Sequence, residues 1–129
     1  MLLDSCYSAK RLWKVARARG FAITMGLKKN RALRVEDPTA ERGWRWQRLD
    51  EYAAALPESA YRRIWWPSQA PDGSQPRWVY AHVVATSVRK LYRCQVLIVR
   101  DSLASPPRCW ASSDLEADLA GLVHHVATC

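Results

Sequence analysis

The sequence has few of the residues that mark nucleotide, serine-hydrolase or zinc chemistry. Its five glycines form neither a glycine-rich phosphate loop nor a Gly-x-Ser-x-Gly elbow. Four cysteines, at positions 6, 94, 109 and 129, include no Cys-x-x-Cys pair and no histidine at zinc spacing. No apolar run approaches the ~18 residues of a membrane span, and no signal peptide is visible. We therefore expect a cytoplasmic protein with reduced thiols and no membrane partner.

The composition is that of one globular domain, but its charge is unevenly placed. The chain has 129 residues, of which 49% are hydrophobic and 25% charged, with a net charge of +8. Residues 1–35 hold nine Lys and Arg against one acidic residue, Asp4, whereas residues 36–129 hold eleven of each sign. A cluster of this kind is typical of a surface that binds a polyanion such as nucleic acid. A solvated helix face rich in arginine is the alternative that the sequence leaves open.

Asp4 is the candidate functional acid. It ends the apolar run Met1-Leu2-Leu3 and precedes a short polar turn and a helix. In α/β proteins a carboxylate at the carboxyl end of a strand is a common metal-binding or catalytic group. The same position also suits a residue that caps the next helix, and the local pattern does not separate the two.

The first 27 residues predict a βαβ unit. Ser8 is a plausible N-cap for a helix over 9–19, which Gly20 would end. Phe21, Ile23 and Met25 then alternate with smaller or polar residues, as in a strand. The two strands of such a unit are parallel, so both end at the same sheet edge.

The basic segment Lys28-Lys29-Asn30-Arg31 leaves the second strand at that edge. We therefore expect it to approach Asp4 by topology, although it lies far from Asp4 in sequence. Cations beside a metal-binding carboxylate would suit a phosphodiester backbone. An ordinary solvated loop stays open as the alternative. A second, weaker candidate contact lies in the segment 87–93, which contains Arg89, Lys90 and Arg93.

Residues 36–112 predict a β-rich segment. After a polar connector over 36–43, the expected elements are strands at 44–48, 61–66, 78–86, 94–100 and 108–112 and a short helix at 51–56. The strand at 94–100 alternates apolar residues on both faces and should be covered on both sides. Trp44 and Trp46 alternate with Arg45 and Gln47, which fits a half-buried strand with both tryptophans inward or a clamp for single-stranded bases. Most of the seven tryptophans are expected in the core.

The last segment predicts a helix. Ser113 and Glu116 fit a capping box. Behind it an apolar stripe is formed by Leu115, Leu119, Leu122, Val123 and Val126. Their spacing indicates a helix that packs on a sheet.

Three motifs together resemble a known family. Asp4-x-x-Tyr7, Gly20-Phe21-Ala22-Ile23-Thr24 and Gly26-Leu27-Lys28-Lys29-Asn30-Arg31 are similar to the middle of DDE-type transposases of bacterial insertion sequences. The group in question has a ribonuclease H-like core that is interrupted by an inserted β-rich segment. The resemblance implies an α/β fold: a partial ribonuclease H-like core over 1–35, an antiparallel β-rich insertion over 36–112, and the start of a closing core helix over 113–129.

The resemblance also implies a chemistry and its partners. Asp4 would be the second member of an acidic triad that binds two Mg²⁺ or Mn²⁺ ions, and DNA, as insertion-sequence ends and target, would be the substrate. The first aspartate would precede Met1 and the glutamate would follow Cys129, so we expect a truncated fragment that binds metal weakly or not at all and is inactive alone. A full-length transposase or a second copy of the fragment is a further expected partner, because missing strands would leave an apolar edge.

The predicted DNA-binding residues share a positive charge or a position in the basic turn: Lys10, Arg11, Lys14, Arg17, Lys28, Lys29, Asn30 and Arg31. The alternative function is a non-catalytic DNA-binding or interaction module that uses the same basic N-terminal segment. The two differ over Asp4, because an enzyme needs its carboxylate and a binding module does not.

Overall fold

The computed structural model describes residues 2–3, 14–16, 18–20, 22–67, 75–91 and 93–128. In these residues the strands are β1 (Leu2–Leu3), β2 (Thr24–Leu27), β3 (Ala32–Glu36), β4 (Trp44–Arg48), β5 (Arg62–Trp66), β6 (Arg77–Ser87), β7 (Arg93–Arg100) and β8 (Arg108–Ser112). The helices are α1 (Leu49–Ala55), a 3₁₀ turn (Glu58–Ala60) and α2 (Leu119–Thr128). Residues 14–16 and 18 are also helical.

Six strands form one sheet in the order β1-β2-β8-β7-β6-β5. β1 and β2 are parallel, and the helical residues 14–16 and 18 lie between them in sequence. Every other pairing in this sheet is antiparallel. The mixed α/β class is therefore confirmed, while the ribonuclease H-like core stays a prediction. Among the described strands, β1 pairs only with β2 and is therefore an edge strand of the sheet. The self-association expected at an exposed edge stays a prediction.

The strands β5 to β8 form the meander that their composition predicted. β7 lies at its centre, and its residues from Cys94 to Val99 are all buried. Alternate side chains of β7 enter two different apolar clusters, with Val96 and Ile98 on one face and Leu97 and Val99 on the other. The expectation that this strand is covered on both sides is confirmed, because period-two alternation places successive side chains on opposite faces.

The first face of the sheet is covered by β3, α1 and the helical residues near Ala16. Leu33, Leu49 and Ala53 are at most 1% exposed there. Burial of a leucine side chain such as Leu33 or Leu49 contributes about 1.5–3 kcal/mol.

Helix α2 covers the second face, but it begins later than predicted. Leu119, Leu122 and Val123 are buried against the sheet, whereas Leu115 is 46% exposed and precedes the helix. The capping-box prediction is wrong because Ser113 forms hydrogen bonds with Ile23 and not with the start of α2. The Ser113 Oγ accepts a hydrogen bond from the Ile23 N–H at 2.8 Å, and the Ser113 N–H donates to the Ile23 carbonyl at 2.9 Å.

Asp118 takes over the role of the cap. Its Oδ1 accepts the Gly121 N–H at 2.8 Å, which satisfies one free donor of the first helical turn. A short polar side chain directly before a helix is the usual way to do so. The hydrogen bonds of Ser113 to Ile23 explain why Ser113 is not the cap.

Strand β3 was not predicted. It pairs with β4 in antiparallel register from Ala32↔Arg48 to Glu36↔Trp44. The connecting turn is closed by the Asp37 N–H, which donates to the Gly43 carbonyl at 3.0 Å, and Gly43 has φ of 78°. The predicted boundary between the core segment 1–35 and the inserted segment 36–112 falls inside β3. In addition, β8, which belongs to the predicted insertion, pairs with β2, which belongs to the predicted core.

Helix α1 starts at Leu49, two residues before the predicted start. The N–H groups of Leu49 and Asp50 donate to the carbonyls of Arg31 and Lys29 at 2.8 and 2.9 Å. A backbone turn therefore satisfies the first donors of α1, and the residue before the helix, Arg48, makes no side-chain cap. This contact fixes the basic turn to the core of the molecule.

Candidate nucleic-acid interface

Four of the predicted site residues lie outside the described residues: Asp4, Lys10, Arg11 and Arg17. Of the others, Lys14, Lys28, Lys29 and Asn30 are exposed and Arg31 is half-buried. The predicted DNA-binding residues that the structure describes are thus accessible to a ligand.

The register of β1 and β2 relates the basic turn to the predicted acid. Leu3 of β1 pairs with Met25 of β2 in parallel. The carboxyl ends of both strands therefore point to the same side of the sheet, and on that side Lys28 follows the last residue of β2. The residue that follows Leu3 in sequence is Asp4, whose own placement is outside the described residues.

The first basic turn spans residues 28–31. It is closed by the Arg31 N–H, which donates to the Lys28 carbonyl at 3.0 Å. Its carbonyls at positions 29 and 31 accept the first N–H groups of α1. The backbone of this turn is therefore held by the core, while the side chains of Lys28 and Lys29 extend into solvent.

A second basic turn spans residues 88–91 and lies against the first. The Leu91 N–H donates to the Val88 carbonyl at 2.8 Å, and the Arg89 N–H donates to the Ala32 carbonyl at 2.8 Å. Arg31 Nη2 donates to the Arg89 carbonyl at 3.3 Å. Two segments that are 58 positions apart in sequence are thus joined into one surface.

The cations near these turns have no carboxylate partner within 4.0 Å among the described residues: Lys28, Lys29, Arg31, Arg34, Arg89, Lys90 and Arg93. We call these seven residues the basic surface. Other arginines are paired, since Arg45 lies 3.0 Å from Asp37, and Arg48 lies 2.8 Å from Asp50. The hydrogen bonds from Arg48 lower the pKa of the Asp50 carboxyl, which keeps that pair charged. Of the basic surface, Lys29 is near enough to Asp50 for its charge to help lower the pKa of that carboxyl.

The β3–β4 hairpin places arginine on tryptophan beside the basic surface. The Arg34 guanidinium carbon lies 4.4 Å from the centre of the Trp44 ring, and that of Arg42 lies 5.6 Å from it. Trp44 is half-buried and Trp46 is 37% exposed. The expectation that both tryptophans point inwards is therefore wrong, because a two-stranded hairpin with five residues per strand has one face without a covering layer.

Trp65 and Trp78 form a second exposed aromatic pair that the sequence did not reveal. They are opposite each other on β5 and β6, with ring centres 5.4 Å apart, and are 48% and 55% exposed. Among the described tryptophans Trp66 is the fully buried one, at 2% exposure. Trp110 packs against the apolar cluster that contains Trp66, whereas Trp46, Trp65 and Trp78 are exposed and so depart from the expected core position. The available signal was the strand alternation of Trp65 and Trp66, which places neighbours on opposite faces.

Comparison with known proteins gives no family for this chain: no family model matches the sequence, and no curated protein matches it significantly. The resemblance to transposases therefore rests on the motifs quoted above.

The buried thiols of the described region are unsuited to nucleophilic chemistry. Cys94 and Cys109 are free and buried. Burial raises the pKa of each thiol to about 12, despite nearby arginine charges. A thiol with so high a pKa is protonated at neutral pH, and the thiolate is the nucleophile.

The described residues contain no group of three or more His, Cys, Asp or Glu side chains that could hold a metal ion. Because Asp4 lies outside them, this finding does not test the predicted Mg²⁺ site. His82 is engaged in packing: its Nδ1 lies 3.0 Å from the Ala60 carbonyl and its Nε2 lies 3.3 Å from the Tyr52 hydroxyl. No helix in the described part of the chain is long and apolar enough to cross a membrane.

Proposed function

We propose that this chain is part of a DDE-type transposase and that, by itself, it binds DNA without cutting it. The observation that carries the proposal is the convergence of the turns 28–31 and 88–91 into one basic surface. Its cations have no carboxylate partner within 4.0 Å among the described residues. The parallel pairing of β1 with β2, after which Asp4 and Lys28 come next in sequence, agrees with the motifs that resemble the family.

DNA phosphates are the anions that fit such a surface. Lysine and arginine side chains that neutralise phosphates release condensed counterions, and this release supplies most of the non-specific affinity. The two turns are anchored by backbone hydrogen bonds to α1 and β3. The surface is therefore preorganised, which reduces the ordering entropy lost on binding.

Strand cleavage would require more carboxylates than this chain is expected to bring together. In-line displacement at phosphorus on two metal ions needs several acids that converge from different elements. In the proposal Asp4 is one of them, and the other two belong to parts of the family's catalytic core that have no counterpart in residues 1–129. We therefore expect binding without cleavage.

The binding half of the proposal is tested by titrating a fluorescent 25-base-pair duplex at several salt concentrations. The test variant is Lys28→Gln/Lys29→Gln. It should reduce the steepness with which the logarithm of the binding constant falls with the logarithm of the salt concentration by up to about 1.8, because each phosphate contact contributes about 0.9. The matched control is Arg62→Gln/Arg63→Gln, which removes two exposed charges from β5. Equal slopes for the wild type and both variants would refute a role for the first basic turn.

The catalytic half is tested on supercoiled DNA with Mg²⁺ or Mn²⁺. We expect neither nicked nor joined products from the wild type or from Asp4→Asn, and equal DNA affinity for the two proteins. Cleavage that Asp4→Asn abolishes would contradict the proposal that the chain is catalytically incomplete. It would also identify Asp4 as a catalytic acid.

The exposed tryptophans favour a second candidate, a module that binds single-stranded nucleic acid. Aromatic side chains at a surface stack on unpaired bases of any sequence, with about 1–3 kcal/mol per base. Trp65 and Trp78 are the most exposed pair of aromatic rings in the described residues. The competing titration uses an oligothymidylate of the same length: if the single strand binds more tightly than the duplex, and Trp65→Ala weakens it selectively, the second candidate is favoured.

A further inference from the structure

Lys90 occupies a backbone conformation that a lysine rarely adopts. Its φ is 69°, and it is the one non-glycine residue with positive φ among the described residues. It is the third residue of the turn 88–91, which the hydrogen bond from the Leu91 N–H to the Val88 carbonyl closes. Positive φ at this position is typical of a type II turn, which favours glycine.

Elsewhere the chain uses glycine for this conformation. Gly20 and Gly43, the other described residues with positive φ, have values of 75° and 78°. The left-handed conformation places a Cβ close to the following carbonyl oxygen, so any side chain there costs free energy. Residues held in such conformations cluster at functional sites, where the side chain or the strain has a use.

No described residue forms an ion pair with the Lys90 side chain. That side chain is exposed, and no carboxylate of the described residues lies within 4.0 Å of its ammonium. The hydrogen bonds that hold the turn come from the backbone of its neighbours: the Arg89 N–H donates to the Ala32 carbonyl and the Leu91 N–H donates to the Val88 carbonyl. Within the described part of the chain, no ion pair accounts for a lysine at this position.

The surroundings of Lys90 supply a reason for it. The preceding residue, Arg89, accepts the hydrogen bond from Arg31 of the first basic turn, and Val88 is 0% exposed. The turn thus rests on the buried Val88 and exposes Lys90 beside Arg89 and Arg31, which have no carboxylate within 4.0 Å among the residues that the structure describes. Like charges placed together in this way repel each other unless an anion binds between them.

We infer that Lys90 is a phosphate-contacting residue and that the turn 88–91 is a second arm of the DNA surface, which the turn 28–31 continues. The inference rests on the proposed function and deepens it, because it names duplex DNA backbone as the ligand of this turn. The ammonium donates to a phosphate oxygen, and the strained backbone directs it there.

Three variants separate the strain from the charge. Lys90→Gly removes both, so it should raise the urea midpoint of unfolding and weaken duplex binding about five- to tenfold at 0.1 M salt, with a slope lower by about 0.9. Lys90→Gln keeps the strained backbone and removes the charge, so it should match the glycine variant in DNA binding and the wild type in urea midpoint. Lys90→Arg keeps the charge and should bind like the wild type.

The outcomes distinguish this inference from the proposed function. If the wild type shows no salt-dependent duplex binding, the proposed function fails. If the wild type binds but Lys90→Gly and Lys90→Gln keep its affinity and slope, the inference about Lys90 is overturned while the proposed function stands. A urea midpoint for Lys90→Gly below that of the wild type would overturn the premise that the backbone is strained for the sake of the side chain.

Discussion

Leu33 of β3 and Val88, the residue directly after β6, form an antiparallel bridge that attaches the β3–β4 hairpin to the six-stranded sheet. Leu33 is 1% exposed and Val88 0%. Beside the bridge, the Thr86 hydroxyl donates to the Arg34 carbonyl at 2.7 Å. The hairpin is thus held by Leu33, which belongs to the buried apolar cluster, and by hydrogen bonds to the residues around the end of β6. It carries Arg34 of the basic surface.

Leu33→Ala should destabilise the protein by about 2–5 kcal/mol, because it leaves a cavity between the hairpin and the sheet. The control is Val35→Ala, two residues further on the same strand, where the side chain is half-buried and the expected loss is about 1 kcal/mol or less. Urea unfolding followed by tryptophan fluorescence measures both. Similar losses for the two variants would show that Leu33 is not the anchor of the hairpin.

Gly43→Ala should destabilise the protein by about 1–2 kcal/mol through backbone strain alone. Its φ is 78°, and a Cβ built there meets no atom within 4 Å, so a steric clash plays no part. Gly26→Ala is the matched control: it also has free space for a Cβ, but it lies within β2 at negative φ. Because alanine orders a strand at a lower entropy cost, this variant should gain about 0.5–1 kcal/mol. Opposite signs in thermal unfolding are the expected result.

Gln95→Leu should destabilise the protein by about 1–3 kcal/mol and loosen the start of α2. The buried Nε2 of Gln95 donates to the carbonyls of Asp114 and Ala117 at 2.8 and 2.7 Å. Leucine cannot replace either hydrogen bond, and buried acceptors without donors are costly. Hydrogen exchange should become faster at the amide of Leu122, which bonds to Asp118. An unchanged exchange rate at the Leu122 amide would show that the hydrogen bonds of Gln95 do not hold the start of α2 in place.

The two buried thiols should make stability fall at alkaline pH. Burial raises the pKa of Cys94 and of Cys109 to about 12, from an ordinary value of 9.0. Between pH 9 and pH 12 the unfolded chain loses these protons and the native chain keeps them, so the free energy of unfolding decreases as the pH rises. The double variant Cys94→Ala/Cys109→Ala should show a smaller decrease over that window, although it is less stable at pH 7. An equal alkaline decrease for both proteins would contradict the assignment.

Thiol reactivity checks the same point independently. At pH 8 a thiol-specific disulfide reagent should modify Cys94 and Cys109 much more slowly in the native protein than in urea, because the native thiols are protonated and buried. The variant Cys94→Ala/Cys109→Ala is measured in parallel, and the difference between the two proteins gives the amount of reagent that reacts with Cys94 and Cys109.

Local patterns predicted the strands of the meander well. Apolar and aromatic residues alternate along β6 and β7, and such residues suit a pleated, half-buried surface. The parallel pairing of β1 and β2 also followed from the strand-helix-strand pattern, since that pattern leaves little choice of topology. These features depend on neighbours in sequence, and so the sequence is sufficient for them.

Local patterns failed where a distant residue decided the outcome. Ser113 has the sequence of an N-cap but bonds to Ile23, and α1 starts early because Arg31 and Lys29 accept its first N–H groups. The short strand β3 has a mixed pattern of burial, so its periodicity is weak. In each case a backbone group found a partner from another part of the chain, which a one-dimensional pattern does not record.

The sequence by itself determined the mixed α/β class, the central strands and the excess of positive charge in residues 1–35. The tertiary structure decided which cations stand together: it joined Arg31 to Arg89, paired Arg48 with Asp50, and left Lys90 exposed in a left-handed turn. The physical reason is the range of the interactions. Periodic burial is set within a few residues, whereas the packing of β3 on β6 sets which charges are neighbours.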